Sequence, residues 1–296
     1  MAGYFCGIVG GATYGMNPLF AKPLISNGVS VPTMLFFRYF LAALLMAVLI
    51  RFRHESRRVK RTQIPVLILL GILYATSSIL LFESYQYIPS GLATTLIYLY
   101  PIFSVLILIF VKEYPSWQTL FAIMLSLIGV ALMTLPSSEK AFPLLGIMLT
   151  LFSALCYAFY LVVIHLSRKA SSLTADIITY YGLVIGTVMF FFYHLIKGGD
   201  FFCGVLAPSS IWNFIGLAIF PTVIAMFSLT YSTRVIGATK TGVLGVFEPL
   251  TAILIGVLLF RESLSWNVSL GISLSIIAVL VMIISQHCSS KIKKIH

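Results

Sequence analysis

The chain has 296 residues, of which 60% are hydrophobic and only 9% are charged, and its mean hydropathy is +1.05. Soluble domains carry about a quarter of charged residues, so this composition excludes a soluble globular protein and predicts a polytopic membrane protein. The net charge of +11 would fit a nucleic-acid ligand as well, but the positions of the basic residues favour another explanation.

Windows of about 20 apolar residues predict ten transmembrane spans, and therefore an all-α membrane protein. The spans lie at residues 3–21, 32–50, 64–82, 91–111, 117–135, 144–164, 174–195, 211–231, 240–260 and 266–286. The connections between them are too short to hold a soluble domain, so we expect any functional site within or beside the bilayer. The first span begins close to Met1 without the features of a cleaved signal peptide, and we expect it to be retained.

The basic residues concentrate in segments that we predict to be cytoplasmic. The loop "RFRHESRRVKR" at 51–61 carries six of the nineteen Lys and Arg residues, and the tail at 288–296 carries three more. With both termini in the cytoplasm, thirteen basic residues lie inside and four outside, which is the distribution of the positive-inside rule. We interpret the loop as a topology determinant that contacts anionic lipid rather than nucleic acid.

Polar residues and prolines inside the first three spans are candidates for gating. Asn17 and Pro18 follow a glycine-rich stretch in the first span, which favours either a gate or close helix packing. Arg38, in the second span, and Glu83, at the end of the third, are predicted near the same outer surface and could pair. Such a pair would form an outer gate or would only stabilise the interface, since both side chains can reach lipid headgroups.

Aromatic and hydroxyl side chains recur on the faces of the central spans. Tyr74 and Ser78 share a face of the third span, Tyr98 and Pro101 share one of the fourth, and Tyr157 lies in the sixth. Aromatic walls would suit an apolar or aromatic metabolite, although tyrosine is also common in membrane-protein cores and at interfaces.

Glu248 lies about eight residues into the ninth span, near the predicted middle of the bilayer, and Pro249 follows it. A carboxylate at that depth costs at least about 2.5 kcal/mol unless it is paired, protonated or in contact with protein or water. Its helix face carries small residues, including Thr241 and Gly245, and Pro249 is expected to free the carbonyl of Gly245. Glu248, Gly245 and the prolines therefore line a central site, where the acid binds a substrate amine or carries a proton, or they serve helix packing alone.

Each half of the chain contains matching segments. Residues 88–117, "IPSGLATTLIYLYPIFSVLILIFVKEYPSW", align with residues 236–266, "IGATKTGVLGVFEPLTAILIGVLLFRESLSW". Both begin with Ile and a glycine-containing turn, reach a proline, and end in a basic residue and a glutamate before a tryptophan. A second match aligns residues 3–15 with residues 146–158.

These matches predict two halves of five helices each, at 1–137 and 141–287, followed by a basic cytoplasmic tail at 288–296. Because five is odd, the two copies must enter the membrane from opposite sides. An inverted repeat of this kind allows one substrate site to open alternately to either face of the membrane.

The chain resembles the drug/metabolite transporter superfamily, and within it the ten-helix proteins with two EamA-type repeats. The resemblance rests on the paired segments that close on Glu113 and Glu262, on "FFRYFLAALLM" with Arg38, and on "LFESYQYIPSGLATTLIYLYPIF". It implies two inverted five-helix repeats and transport of amino acids, other metabolites or drugs, commonly as export. The second half lacks a clear counterpart of Arg38, because its seventh span begins with Asp176.

We therefore predict a secondary transporter of the inner membrane that exports or exchanges amino acids or related metabolites by alternating access. The expected partners are a small-molecule substrate, the lipid bilayer, and a proton or counter-substrate, with no nucleic acid, cofactor or metal; the oligomeric state is not predicted. A channel or an accessory subunit of a membrane complex is the alternative. An intramembrane enzyme is a remote one, because the sequence contains no HExxH, GxSxG or Walker-type motif.

Overall fold

The computed structural model is helical, without strands, over the part of the chain that it describes. It describes residues 2–52, 59–84, 86–88, 93, 96–133, 143–198, 200–260, 266–267, 269–274, 276–278 and 280–281. The predicted basic tail at 288–296, residues 53–58 of the basic loop, and the predicted junction between the two halves lie outside the described residues.

We number the α-helices in chain order. They are α1 (Ala2–Tyr14), α2 (Asn17–Ser26), α3 (Val31–Phe52), α4 (Ile64–Ser84), α5 (Tyr100–Phe110), α6 (Trp117–Met133), α7 (Leu144–Leu166), α8 (Arg168–Ser171), α9 (Ala175–Lys197), α10 (Pro208–Ala218), α11 (Ala225–Ile236), α12 (Ala238–Leu244) and α13 (Phe247–Phe260). Helical turns also occur among the described residues of 266–281.

Five helical segments in the described part of the chain are long and apolar enough to cross a membrane. They are Val31–Phe52, Arg61–Ser84, Leu144–Leu166, Ala175–Lys197 and Pro208–Ile236. The first and ninth predicted spans are not among them, because each is divided into two shorter helices, α1 with α2 and α12 with α13. These segments make the chain a multi-pass membrane protein.

The first, fourth and ninth predicted spans contain a new helix that starts at a proline. Pro18 lies in the first turn of α2, Pro101 in that of α5 and Pro249 in that of α13. A proline in a first turn removes no intrahelical hydrogen bond, since the amide there has no partner within the helix. At each of these prolines the helix therefore breaks and restarts instead of continuing.

The eighth predicted span is continuous but widened. It runs as α10, a π-helical segment at Ile219–Ile224, and α11. Pro221 lies in this segment, where the wider turn accommodates a residue without an amide hydrogen. Thr222 Oγ1 donates a hydrogen bond to the Leu217 carbonyl at 2.7 Å and satisfies one acceptor of the widened turn.

Two groups of helices build the core around the broken spans. In one, α4 packs against α7 and α9, and α9 also packs against α3. In the other, α1 packs against α11, α12 and α13 through its glycines. A Cβ added at Gly10 would lie 2.7 Å from Leu229 Cγ. The glycines of α1 therefore allow close helix packing, which is one of the two roles considered for this stretch.

Candidate functional site

Glu248 lies in the first turn of α13, directly after the break in the ninth span. The positive end of the helix dipole favours a negative charge at this position. The side chain keeps part of its surface accessible, and α1 and α2 of the first span pack against its helix. Its backbone N–H donates to the Gly245 carbonyl at 2.9 Å, so the expectation that Pro249 leaves this carbonyl exposed is wrong.

Two tyrosines of the fourth span donate hydrogen bonds to backbone carbonyl groups at the break in the ninth span. Tyr98 Oη donates to the carbonyl of Val243 at 3.0 Å, and Tyr100 Oη donates to the carbonyl of Gly242 at 3.0 Å. Gly245 faces the Tyr100 hydroxyl at close range. Pro101 packs against the same turn, since a Cβ on Gly242 would lie 3.2 Å from its own Cβ.

Arg38 is held by the π-helical segment of the eighth span. Its Nε donates to Thr222 Oγ1 at 2.6 Å and its Nη2 donates to the Pro221 carbonyl at 2.9 Å. The side chain is only 2% exposed. It does not pair with Glu83, as the sequence allowed; Glu83 instead bonds to Lys197 at 3.1 Å, where α4 and α9 end.

Arg38 and Glu248 form the charged pair of groups at the centre of the described helices. Their charges are near enough to interact electrostatically. Both side chains are described, and no salt bridge joins them. The Arg38 guanidinium also lies over the ring of Tyr14, 5.8 Å from its centroid. Arg38 is therefore close to Glu248 without a salt bridge between them, and its guanidinium contacts the rings of Tyr14 and Tyr39.

Several tyrosine rings contact one another in this region. Tyr157 contacts Tyr100 at 4.8 Å and Tyr74 at 6.1 Å between ring centroids, and Tyr74 contacts Tyr160 at 5.1 Å. Tyr157 keeps accessible surface, whereas Tyr74 is buried and its hydroxyl has no hydrogen-bond partner. A buried hydroxyl without a hydrogen-bond partner costs about 1–3 kcal/mol, which a hydrogen bond to water or to another polar group would recover.

The remaining predicted residues lie around this centre. Ser78 is hydrogen-bonded to Tyr39 Oη at 2.9 Å and donates to the Tyr74 carbonyl, so it holds the tyrosines from the side. Asn17 begins α2 at the break of the first span, and its buried Oδ1 has no partner. Pro18 follows it in the same turn, and its side chain lies outside the described part of the chain.

The family model described as the EamA-like transporter family matches residues 1–135 and 144–284. The chain belongs to the EamA-like transporter family. It is therefore a membrane transporter, consistent with the drug/metabolite transporter superfamily indicated by the sequence. Transport is the activity to which the names of the family and of its curated relatives point.

Curated EamA-like relatives carry only general names. An uncharacterized transporter of Archaeoglobus fulgidus is 29% identical over 191 residues, which cover 64% of this chain and 66% of that protein. The uncharacterized transporter YdfC of Bacillus subtilis is 28% identical over 225 residues, covering 75% of this chain and 71% of its own length. A solved crystal structure shares the fold at a TM-score of 0.77 and 16% identity, over 95% of this chain and 96% of that one.

Sequence reasoning missed several residues of this EamA-like site. Tyr14, Tyr39 and Tyr100 were not among the predicted site residues, and neither were Pro221 and Thr222, which hold Arg38. One signal was available: a buried arginine needs oxygen acceptors, and Pro221, inside the eighth predicted span, disrupts the hydrogen bonding of the helix around it.

Proposed function

We propose that this EamA-like protein is a secondary transporter with ten spans arranged as two inverted five-helix repeats. Matching of the family model to two separate parts of the chain supports the repeat. The helix breaks in the first, fourth and ninth spans meet near Glu248, as expected where discontinuous helices surround a central site. Alternating access would expose this site first to one face of the membrane and then to the other.

We propose that the substrate binds at Glu248 and Arg38, and the observation that carries the proposal is an arginine held by neutral oxygen atoms beside a carboxyl group at the break of the ninth span. A small metabolite with an amino and an acidic group, such as an amino acid, would place its ammonium group on Glu248. Its acceptor group would meet Arg38, whose guanidinium has five N–H donors, and the unpartnered hydroxyl of Tyr74. Tyr157 and the neighbouring rings would contact its apolar part.

Glu248 offers a second role in the same cycle. A carboxyl group can release its proton when a cationic substrate binds and can take it back when the substrate leaves, which couples proton movement to transport. Among the described residues, Arg38 is the charged group that acts on Glu248, and Tyr14, Tyr98, Tyr100 and Tyr157 are its titratable neighbours. Arg38 is the cation among them, so it opposes a second positive charge at this site.

The test uses purified full-length protein in liposomes. A thermal-shift screen of metabolites first identifies a ligand, because binding to the folded state raises its apparent stability. We expect saturable uptake of that ligand, stimulated by the same compound inside the vesicles. Glu248→Gln should fold normally but lose the pH dependence of transport across about pH 5.5 to 8, since glutamine cannot exchange a proton. A non-saturating leak would contradict the carrier, and equal pH profiles would contradict the proton role.

A further inference from the structure

The contact between the two halves next to Glu248 is made by tyrosine hydroxyls. Tyr98 and Tyr100 come from the fourth span, and the carbonyl groups that they bind belong to α12 of the ninth span. Both tyrosines are buried, at 2% and 4% exposure, and Tyr98 Oη also lies 3.2 Å from Ser126 Oγ. A buried hydrogen bond between distant parts of the chain fixes their relative position more firmly than apolar contact alone.

The two helix segments pack closely at this contact. A Cβ on Gly245 would overlap with the Tyr100 hydroxyl, and one on Gly242 would lie 3.3 Å from Tyr100 Cε2. Glycine at these positions therefore allows the tyrosine to reach the backbone. The turn of Gly245 and Val246 separates this contact from α13, which carries Glu248 in its first turn.

The aligned halves place different chemistry at equivalent positions. Tyr100 precedes Pro101 in the first half as Glu248 precedes Pro249 in the second. In the structure the Tyr100 hydroxyl lies against Gly245, in the turn that precedes the helix of Glu248. The first half thus supplies the hydroxyl that bonds to the backbone at the break in the ninth span. The second half supplies the acid in the first helical turn after this break.

We propose that Tyr98 and Tyr100 are positioning residues for Glu248. By donating to the carbonyl groups of Gly242 and Val243, they set the direction in which α13 restarts, and hence the place of its first-turn carboxyl group. Loss of either hydroxyl leaves a buried carbonyl with fewer donors, which the backbone relieves by moving the turn. The inference rests on the proposed role of Glu248 in transport, but the position of the carboxyl group can be measured without transport.

The first experiment measures the reactivity of Glu248 directly. Purified protein in lipid nanodiscs is treated with a hydrophobic carbodiimide, which attacks protonated carboxyl groups, and modification of Glu248 is quantified by peptide mass spectrometry. We expect Tyr98→Phe and Tyr100→Phe to change the labelling rate about two- to tenfold, the effect of one hydrogen bond. Tyr231→Phe is the matched control, because its ring contacts Phe227 of the same helix and it is not part of the site.

A double-mutant cycle tests whether the hydroxyl acts through Gly245. Gly245→Ala should reproduce the labelling change of Tyr100→Phe, because the added methyl group occupies the place of the hydroxyl. The double variant should then show little further change. Independent, additive effects of the two substitutions would overturn the proposed path from Tyr100 to Glu248.

The second experiment measures transport of the ligand found by thermal shift. We expect both phenylalanine variants to alter KM and the pH profile, with a smaller effect on the maximal rate. If they lower only the melting temperature, and leave labelling, KM and pH profile as in the wild type, the tyrosines are structural and the inference is wrong. If labelling changes but the wild-type protein transports nothing, the positioning role stands and the proposed function fails.

Discussion

Arg38 introduces a positive charge into the core at a position where lipid headgroups cannot neutralise it. Neutral oxygen atoms stabilise it: the Thr222 hydroxyl and the Pro221 carbonyl accept hydrogen bonds from two of its N–H groups. Because neither acceptor carries a full charge, neither of them neutralises the positive charge of Arg38. Both acceptors belong to the π-helical segment Ile219–Ile224 of the eighth span.

We predict that Arg38→Lys impairs transport although it keeps the charge. A lysine ammonium cannot reproduce the planar geometry that bonds Thr222 and Pro221 together, and hydrogen bonds to charged groups contribute about 1.5–3 kcal/mol each. The melting temperature should fall and substrate affinity should weaken roughly tenfold or more. Arg51→Lys, an exposed position in the same helix, is the control and should change neither. Equal behaviour of the two variants would contradict this account of Arg38.

The broken helices show what sequence could and could not predict at the scale of elements. The aligned halves predicted that Pro101 and Pro249 occupy equivalent positions. Whether a helix bends or breaks at such a proline depends on which groups donate hydrogen bonds to the nearby carbonyl groups. In the ninth span the donors are Tyr98 and Tyr100, which lie about 140 residues away in the chain. Local pattern holds no information on that contact.

Contact between the first and ninth spans predicts a specific order of stability among glycine substitutions. A Cβ on Gly15 would overlap with the backbone carbonyl of Glu248, which cannot move without displacing the helix. We expect Gly15→Ala to destabilise the protein by about 1–3 kcal/mol, as overpacking does. Gly182→Ala should be almost neutral, because its Cβ would meet only the flexible end of Met226. Thermal unfolding of both variants in detergent checks the order, and equal losses would contradict it.

At the scale of the whole molecule, the structure brings together span ends that the charge distribution places on the same side of the membrane. On the predicted outer side, Asn27 bonds to Ser210 at 3.0 Å and Glu83 to Lys197 at 3.1 Å. On the predicted inner side, His165 lies 3.3 Å from Glu113. Sequence could predict this grouping because each crossing reverses direction, but it could not choose partners, as the bond of Glu83 to Lys197 shows. Partner choice depends on how helices are rotated and packed.

The orientation of the molecule in the membrane is a further prediction, based on the positive-inside distribution. Cys203 is exposed in the connection between α9 and α10, which we place outside, and Lys169 is exposed in α8, which we place in the cytoplasm. In a variant whose other cysteines are replaced by serine, Cys203 should react with a membrane-impermeant maleimide in intact cells. Lys169→Cys in a background without cysteines should react only after permeabilisation. The reverse pattern would invert the topology, and labelling of both sites in intact cells would contradict a single orientation.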